Sequence, residues 1–256
     1  MKGRLRTLSI AIACVVVALP SAAGAAVPSS SAVSDDRQQR LDLAVRLIES
    51  INPDDRLLAQ EMRAWEAGVR LMLGNDATLA RLEQETPGVI DAAVNAGRPV
   101  AQEYLASLLS RLKRYKAERT AAALTVTELR EVQAFYATPA GQRLATGMTA
   151  PQQSDVLIDR VAKRVQEEGD PTVTEQDARV ATRKAVENVM AQATREDILT
   201  IMRFEATPAG SKLRAIGEEV QKFTVETSRT PDPAFVQRQQ KAMQDAILAF
   251  VTSAQK

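Results

Sequence analysis

The side chains of this chain that can do chemistry are carboxylates, amines, guanidinium groups and hydroxyls. It carries 32 acidic and 33 basic residues, no histidine and a single cysteine, Cys14. Without histidine there is no Ser-His-Asp or Cys-His nucleophile, and one cysteine gives neither an internal disulfide nor a zinc site of Cys and His ligands. What remains is carboxylate chemistry, in which two acids flank a scissile bond as acid and base or nucleophile. The acidic pairs Asp54-Asp55, Glu167-Glu168 and Glu218-Glu219 are adjacent in sequence. On a helix their side chains diverge by about 100°, and no loop has calcium-ligand spacing, so they read as solvated faces and helix-start acids.

The basic run Arg111, Lys113, Arg114, Lys116, Arg119 scatters around a helix and reads as a solvated helix end beside the dipole. Thr138-Pro139-Ala140-Gly141 offers helix-start N–H groups to an anion, yet cap and proline chemistry already accounts for each residue as a corner. Trp65 and Tyr104 lie on apolar helical stripes and read as core, the indole N–H satisfied at its edge. No catalytic residue, metal ligand or cofactor is assigned, and ligand-binding residues are unknown. With no histidine to titrate, stability is expected to be flat from about pH 6 to 8 unless burial moves a Glu or Lys into that window.

The elements that must position any site are announced by a repeat. Thr125 to Leu144 returns as Thr194 to Leu213 without a gap, so that Phe135, Pro139 and Gly141 answer to Phe204, Pro208 and Gly210. Such self-similarity predicts a duplicated structural unit. Thr125 and Glu128 make a capping box, with Leu124 and Leu129 as its hydrophobic staple. In the second segment Thr194 keeps the cap, Asp197 replaces the glutamate, and Ala193 with Ile198 makes a thinner staple. Leu129, Val132 and Tyr136 share a face, matched by Ile198, Ile201 and Glu205. Thr138 and Thr207 precede prolines and so leave the α region. Each threonine can cap the next helix, Pro139 or Pro208 takes its first position, and Gly141 or Gly210 allows close backbone approach. Both segments are predicted to be the same helix-corner-helix, with Phe135 and Phe204 buried at equivalent places near Leu144 and Leu213.

Phe135-Tyr136-Ala137-Thr138-Pro139-Ala140-Gly141-Gln142-Arg143 resembles the signature of a family of small, secreted, helical bacterial proteins classed as a domain of unknown function. Phe204-Glu205-Ala206-Thr207-Pro208-Ala209-Gly210-Ser211-Lys212 departs from it at the tyrosine, and Asp42 to Gly68 resembles the family's N-terminal helices weakly. The resemblance implies a periplasmic, all-helical fold with no established activity, and it brings no catalytic residue.

Periodicity agrees with an all-α chain. Leu58, Met62, Trp65, Val69 and Met72, and Ala101, Leu105, Leu108, Leu112 and Tyr115, recur at helical spacing, and no strand-length alternation is present. Helices are predicted near 36–51, 53–73, 76–84, 87–96, 99–120, 126–137, 139–168, 174–192, 195–206, 208–228 and 233–253. Asn52-Pro53, Thr86-Pro87 and Asp232-Pro233 read as cap-plus-proline starts, and Gly74, Gly97 and Gly169 as helix ends.

The N-terminus has Lys2, Arg4 and Arg6, an apolar run from Leu8 to Leu19 and the small residues Ala23-Gly24-Ala25, the layout of a secretory signal peptide. Residues 1–25 are therefore expected to be cleaved, 26–34 to form a disordered leader, 35–168 a first helical unit and 169–256 a second. Acylation at Cys14 is disfavoured because Val15-Val16-Val17 continues the apolar run past it. Cleavage removes three basic residues, leaving 30 against 32 acidic. That balance argues against nucleic acid as a partner, and the mature chain has no stretch of the ~20 apolar residues a membrane span needs. The expectation is a secreted, periplasmic, all-α bundle acting as a non-enzymatic binding module, its partner an envelope protein, peptide or lipid. The alternative is a carboxylate-based hydrolase of envelope polymers.

Overall fold

The computed structural model describes residues 30–51, 53–148, 151–168 and 172–254, and among them it contains eleven α-helices and no strand. The signal segment, Cys14, Asn52 and Gly169 lie outside the described residues. The helices are α1 (Ser30–Ile51), α2 (Asp54–Asn75), α3 (Ala77–Glu85), α4 (Val89–Ala123), α5 (Val126–Ala137), α6 (Pro139–Met148), α7 (Pro151–Glu168), α8 (Glu175–Gln192), α9 (Arg195–Glu205), α10 (Pro208–Arg229) and α11 (Pro233–Ala254).

The organising element is α4, about 50 Å long at 1.5 Å per residue. The sequence predicts two helices here, ending one near Gly97 and starting another at Pro99, but the helix runs through both residues. Proline costs one backbone hydrogen bond; packing of α2 and α11 on this stretch keeps the helix continuous through the defect. A Cβ on Gly97 would meet Met243 Cγ at 3.1 Å and Trp65 Cζ2 at 3.2 Å, so this glycine serves the approach of α2 and α11 rather than a helix end. Helix α11 lies antiparallel along α4, placing Phe250 beside Gly88, Met243 beside Gly97 and Phe235 stacked on Tyr104 at 3.9 Å. On another side Tyr115 stacks on Phe223 of α10 at 4.0 Å.

Other departures are local. The span 139–168 is two helices, because Pro151 starts α7 afresh. Pro87 does not open α4. Gly88 does, in the left-handed region at φ 100°, while the Glu83 carboxylate accepts from Gly88 N and Ile90 N at 2.8 Å each. Gly74 is not the end of α2; Asp76 is, and its Oδ1 also caps α3 by accepting from Thr78 N and Leu79 N. Helix α1 begins at Ser30, inside the segment expected to be a disordered leader. Asp232 caps α11 as read from the sequence, accepting from Ala234 N at 2.9 Å.

One apolar core spans Ala44, Leu47 and Ile48 of α1, Ala117 and Ala121 of α4, the α5–α6 corner, and Ile201 to Val220 of α9 and α10. A second fills the space between α2, the first half of α4 and α11, and a small third joins α7 to α8. The expected boundary at residue 168 therefore separates helices in sequence while the largest core draws on both sides of it. No described helix is long and apolar enough to cross a membrane.

Candidate functional site

The two repeated segments fold alike down to individual hydrogen bonds. In each, the cap threonine accepts from the backbone N–H three residues on at 3.2 Å, while the acid there accepts from the threonine's N–H, Glu128 at 2.8 Å and Asp197 at 2.9 Å. At the corners, Thr138 Oγ1 donates to Phe135 O at 2.7 Å and accepts from Gly141 N at 3.1 Å; Thr207 Oγ1 repeats both contacts, at 2.9 and 3.0 Å. A Cβ at Gly141 or Gly210 would collide with the carbonyl of Phe135 or Phe204 and stand 2.7 or 3.0 Å from the next Cα. The corner thus excludes any side chain at that position. The prolines occupy the first turns of α6 and α10, where no N–H is needed.

The two corners are also bound to each other, about a pseudo-two-fold axis. Phe135 and Phe204 stack face to face across it, centroids 4.0 Å apart and planes 3° apart, and both are buried. Lys212 Nζ from the second corner meets Glu128 at 2.7 and 2.9 Å. Its counterpart Arg143 from the first corner meets Asp197. The acid that caps each helix is therefore paired with the basic residue of the opposite corner. Packing follows the same axis: α6 lies on α9 as α10 lies on α5, and α6 on α8 as α10 on α4. Tyr136 and Glu205 are equivalents that differ. Burial, and after it the charge of Glu205, pushes the Tyr136 hydroxyl up to about 12, and Glu205 is compensated by Arg214. Thr125, Glu128, Thr138, Pro139, Gly141, Thr194, Asp197, Thr207, Pro208 and Gly210 are thus the framework that joins the two corners, with Thr125, Pro139, Thr194 and Pro208 on its exposed side.

Hydrogen bonds from Arg143 and Thr194 hold the Asp197 carboxyl down at about 2. A depressed acid stabilises the fold above its ordinary value near 3.8 and loses that contribution as pH falls toward 2. Asp197→Asn is accordingly expected to lower the melting temperature at pH 7 and to match the parent at pH 2, as measured by circular dichroism at both values.

Among the described residues a groove of about 510 Å³ opens beside this hub. Leu41, Val45 and Ile48 of α1 form one wall, Ala106, Leu109 and Ala117 of α4 the other, and Leu58 of α2 the end. Glu49, Lys113, Arg114 and Glu118 stand at the rim, with Arg114 and Glu118 paired at 2.9 Å. The basic run expected to be a solvated helix end is therefore divided: Lys113 and Arg114 go to the groove, and Arg119 pairs with Glu219 of α10. Only a comparison of α1 with α4 locates the groove, because neither wall has a motif of its own. Trp65 and Tyr104 make core contacts rather than lining the groove, and the Trp65 N–H is buried without an acceptor among the described residues, contrary to the expectation for it.

Two titratable groups escaped the sequence reading. Asp177 is fully buried on α8; burial pushes its carboxyl up, but hydrogen bonds from Arg164, Thr174 and Arg160 outweigh that and hold it well below the usual range. The signal was present as a third capping box, Thr174 to Asp177, with Arg160 and Arg164 one turn apart on α7. Glu61 of α2 is 6 % exposed, and burial alone pushes it up to about 8. Nothing in the sequence marks it except an acid one turn before Trp65.

An all-α bundle tied by a repeated corner is the class of protein these helices define. Residues 112–168, from the middle of α4 through the first corner to the end of α7, match a family described as an uncharacterized protein conserved in bacteria (DUF2059). No curated protein and no solved structure matches the chain.

Proposed function

We propose that this is a secreted periplasmic protein that works by binding, with the groove between α1 and α4 as its ligand site, and that residues 194–213 are a diverged second copy of the family's corner. The observation that carries the binding reading is the groove itself. Its walls are aliphatic, its volume falls within the range of ligand pockets, and its rim has two cations and two carboxylates, which suits an apolar chain or peptide with little net charge. The leader supports secretion through its basic, apolar and small-residue segments.

The protein recovered from a periplasmic extract is expected to start near Ala26 by intact mass and to enhance the fluorescence of N-phenyl-1-naphthylamine saturably. Ala106→Trp, which fills the groove, should abolish the enhancement while leaving the melting temperature within a few degrees. Enhancement that survives this substitution places the apolar site elsewhere. Glu61 favours the second reading, a carboxylate-based hydrolase of envelope polymers, because a carboxyl protonated at neutral pH can act as a general acid. Cleavage of purified envelope polymer that Glu61→Gln abolishes would put that reading first.

A further inference from the structure

The groove between α1 and α4 has a length, a lining and a charge pattern that together select among apolar ligands. The ion pairs of Arg70 with Asp91 and of Arg98 with Glu66 run α2 antiparallel to α4, which brings Leu58 level with Ala106 at one end of the groove. From Ala106 to Ala117 the α4 wall is about 16 Å long at 1.5 Å per residue. Val45 on the opposite wall is 37 % exposed, an aliphatic side chain that the groove leaves uncovered. Of the described residues that line the walls, Ser110 alone has a polar side chain; the other polar groups belong to Glu49, Lys113, Arg114 and Glu118 at the rim. Both walls are α-helices whose backbone groups bond within the helix, so an extended peptide would find nothing there to pair with its N–H and C=O groups. A ligand helix pairs its own, but one about 10 Å across and as long as the wall occupies roughly 1,200 Å³. That is more than twice the 510 Å³ of the groove. A single aliphatic chain has no polar group to satisfy and fits lengthwise.

We infer that the groove holds the acyl chain of a zwitterionic single-chain phospholipid, its tail toward Leu58 and its head at Arg114 and Glu118; this rests on the reading of the groove as the ligand site. Arg114 and Glu118 stand about 12 and 18 Å beyond Ala106 along α4. They pair with each other at 2.9 Å while their side chains are 82 % and 52 % exposed. Such a solvated pair contributes little and gives way to stronger partners. The head phosphate accepts from the Arg114 guanidinium, whose planar fork suits phosphate, and the ammonium group donates to Glu118. With Lys113 and Glu49 the rim carries two charges of each sign, so a head bearing both signs finds both answered. A fatty acid brings only the anion and sets it against the two rim carboxylates. A monoacylglycerol uses neither sign.

The test titrates lysophosphatidylethanolamine, kept below its micelle concentration, into the mature protein and follows adducts by native mass spectrometry. One lipid per chain is expected, held more tightly than a fatty acid or a monoacylglycerol of the same chain. Ala106→Trp should abolish the adduct. Arg114→Ala should weaken lysophosphatidylethanolamine roughly threefold, the scale of one exposed charge contact, and leave the monoacylglycerol unchanged. Both altered residues are exposed, so melting temperatures should stay near the parent value. No adduct, several lipids per chain, or equal binding of the three lipids overturns the inference. N-phenyl-1-naphthylamine in the same samples separates that failure from failure of the groove reading. Dye that binds the parent but not Ala106→Trp, and that lysophosphatidylethanolamine does not displace, overturns the phospholipid while the groove stands. An amphipathic peptide that displaces the dye where the lipid does not overturns it in favour of a protein partner.

Discussion

Replacing Phe135 with alanine is expected to reduce the unfolding free energy by about 3–5 kcal/mol, the usual cost of emptying a buried aromatic site. The ring is 6 % exposed and stacked on Phe204, with Leu144 and Leu213 packed against the same cluster. The pairing makes the loss larger than one half of the protein alone would suffer, because Phe204 loses its stacking partner together with its cover. Phe204→Ala should cost a similar amount. The double variant should cost less than the two together, since aromatic pairs carry about 0.5–1.5 kcal/mol beyond burial. Urea unfolding of the four proteins forms the cycle, and strict additivity would show that the rings do not interact.

The second large effect is a loss of stability as pH rises. Glu61 titrates near 8 in the folded protein against an ordinary value of 4.5. Between those values the folded state holds a proton that the unfolded chain has lost, so raising the pH favours unfolding. The contribution is whole below about 4.5 and gone above about 8, and its slope approaches about 1.4 kcal/mol per pH unit as an upper limit. Melting temperatures of the mature protein should fall steadily from pH 5 to 8, while Glu61→Gln should remain level and be the more stable protein at pH 8. A parent protein level across that range would mean that the carboxylate reaches solvent or a cation. The flat profile expected from a histidine-free composition holds only where burial moves no Glu or Lys into that window, and buried Glu61 is that exception.

Legibility followed the locality of the signal. Caps and corners rest on contacts within three or four residues, and Thr125 to Gly141 and Thr194 to Gly210 could be read residue by residue. Where tertiary packing overrides a local breaker, the reading failed. Gly97 and Pro99 signal a helix end, but Trp65 and Met243 press against that stretch and α4 continues. The converse holds at Pro151, which starts α7 afresh inside the span 139–168 expected to be one helix. The pairing of Glu128 with Lys212 and of Arg143 with Asp197 was present in the sequence as matching acid and base at the repeat offset. It was invisible as a contact until the two corners faced each other. The groove and Glu61 depend on which helix lies beside which, and no spacing within a single helix encodes that.

The reciprocal corners have a consequence for how such a protein can diversify. Two separate chains joined by this interface would obey mass action and come apart on dilution. A two-fold dimer would also have to present the same residues on both sides. Carrying both partners on one polypeptide replaces the bimolecular equilibrium with a fixed local concentration, on the order of millimolar or more for a short tether. Association then no longer limits the fold at low abundance, and the twin requirement is lifted. One half can keep its aromatic, Tyr136, and the cover of α1, while the other carries Glu205 in its place and leaves Leu199 and Met202 exposed.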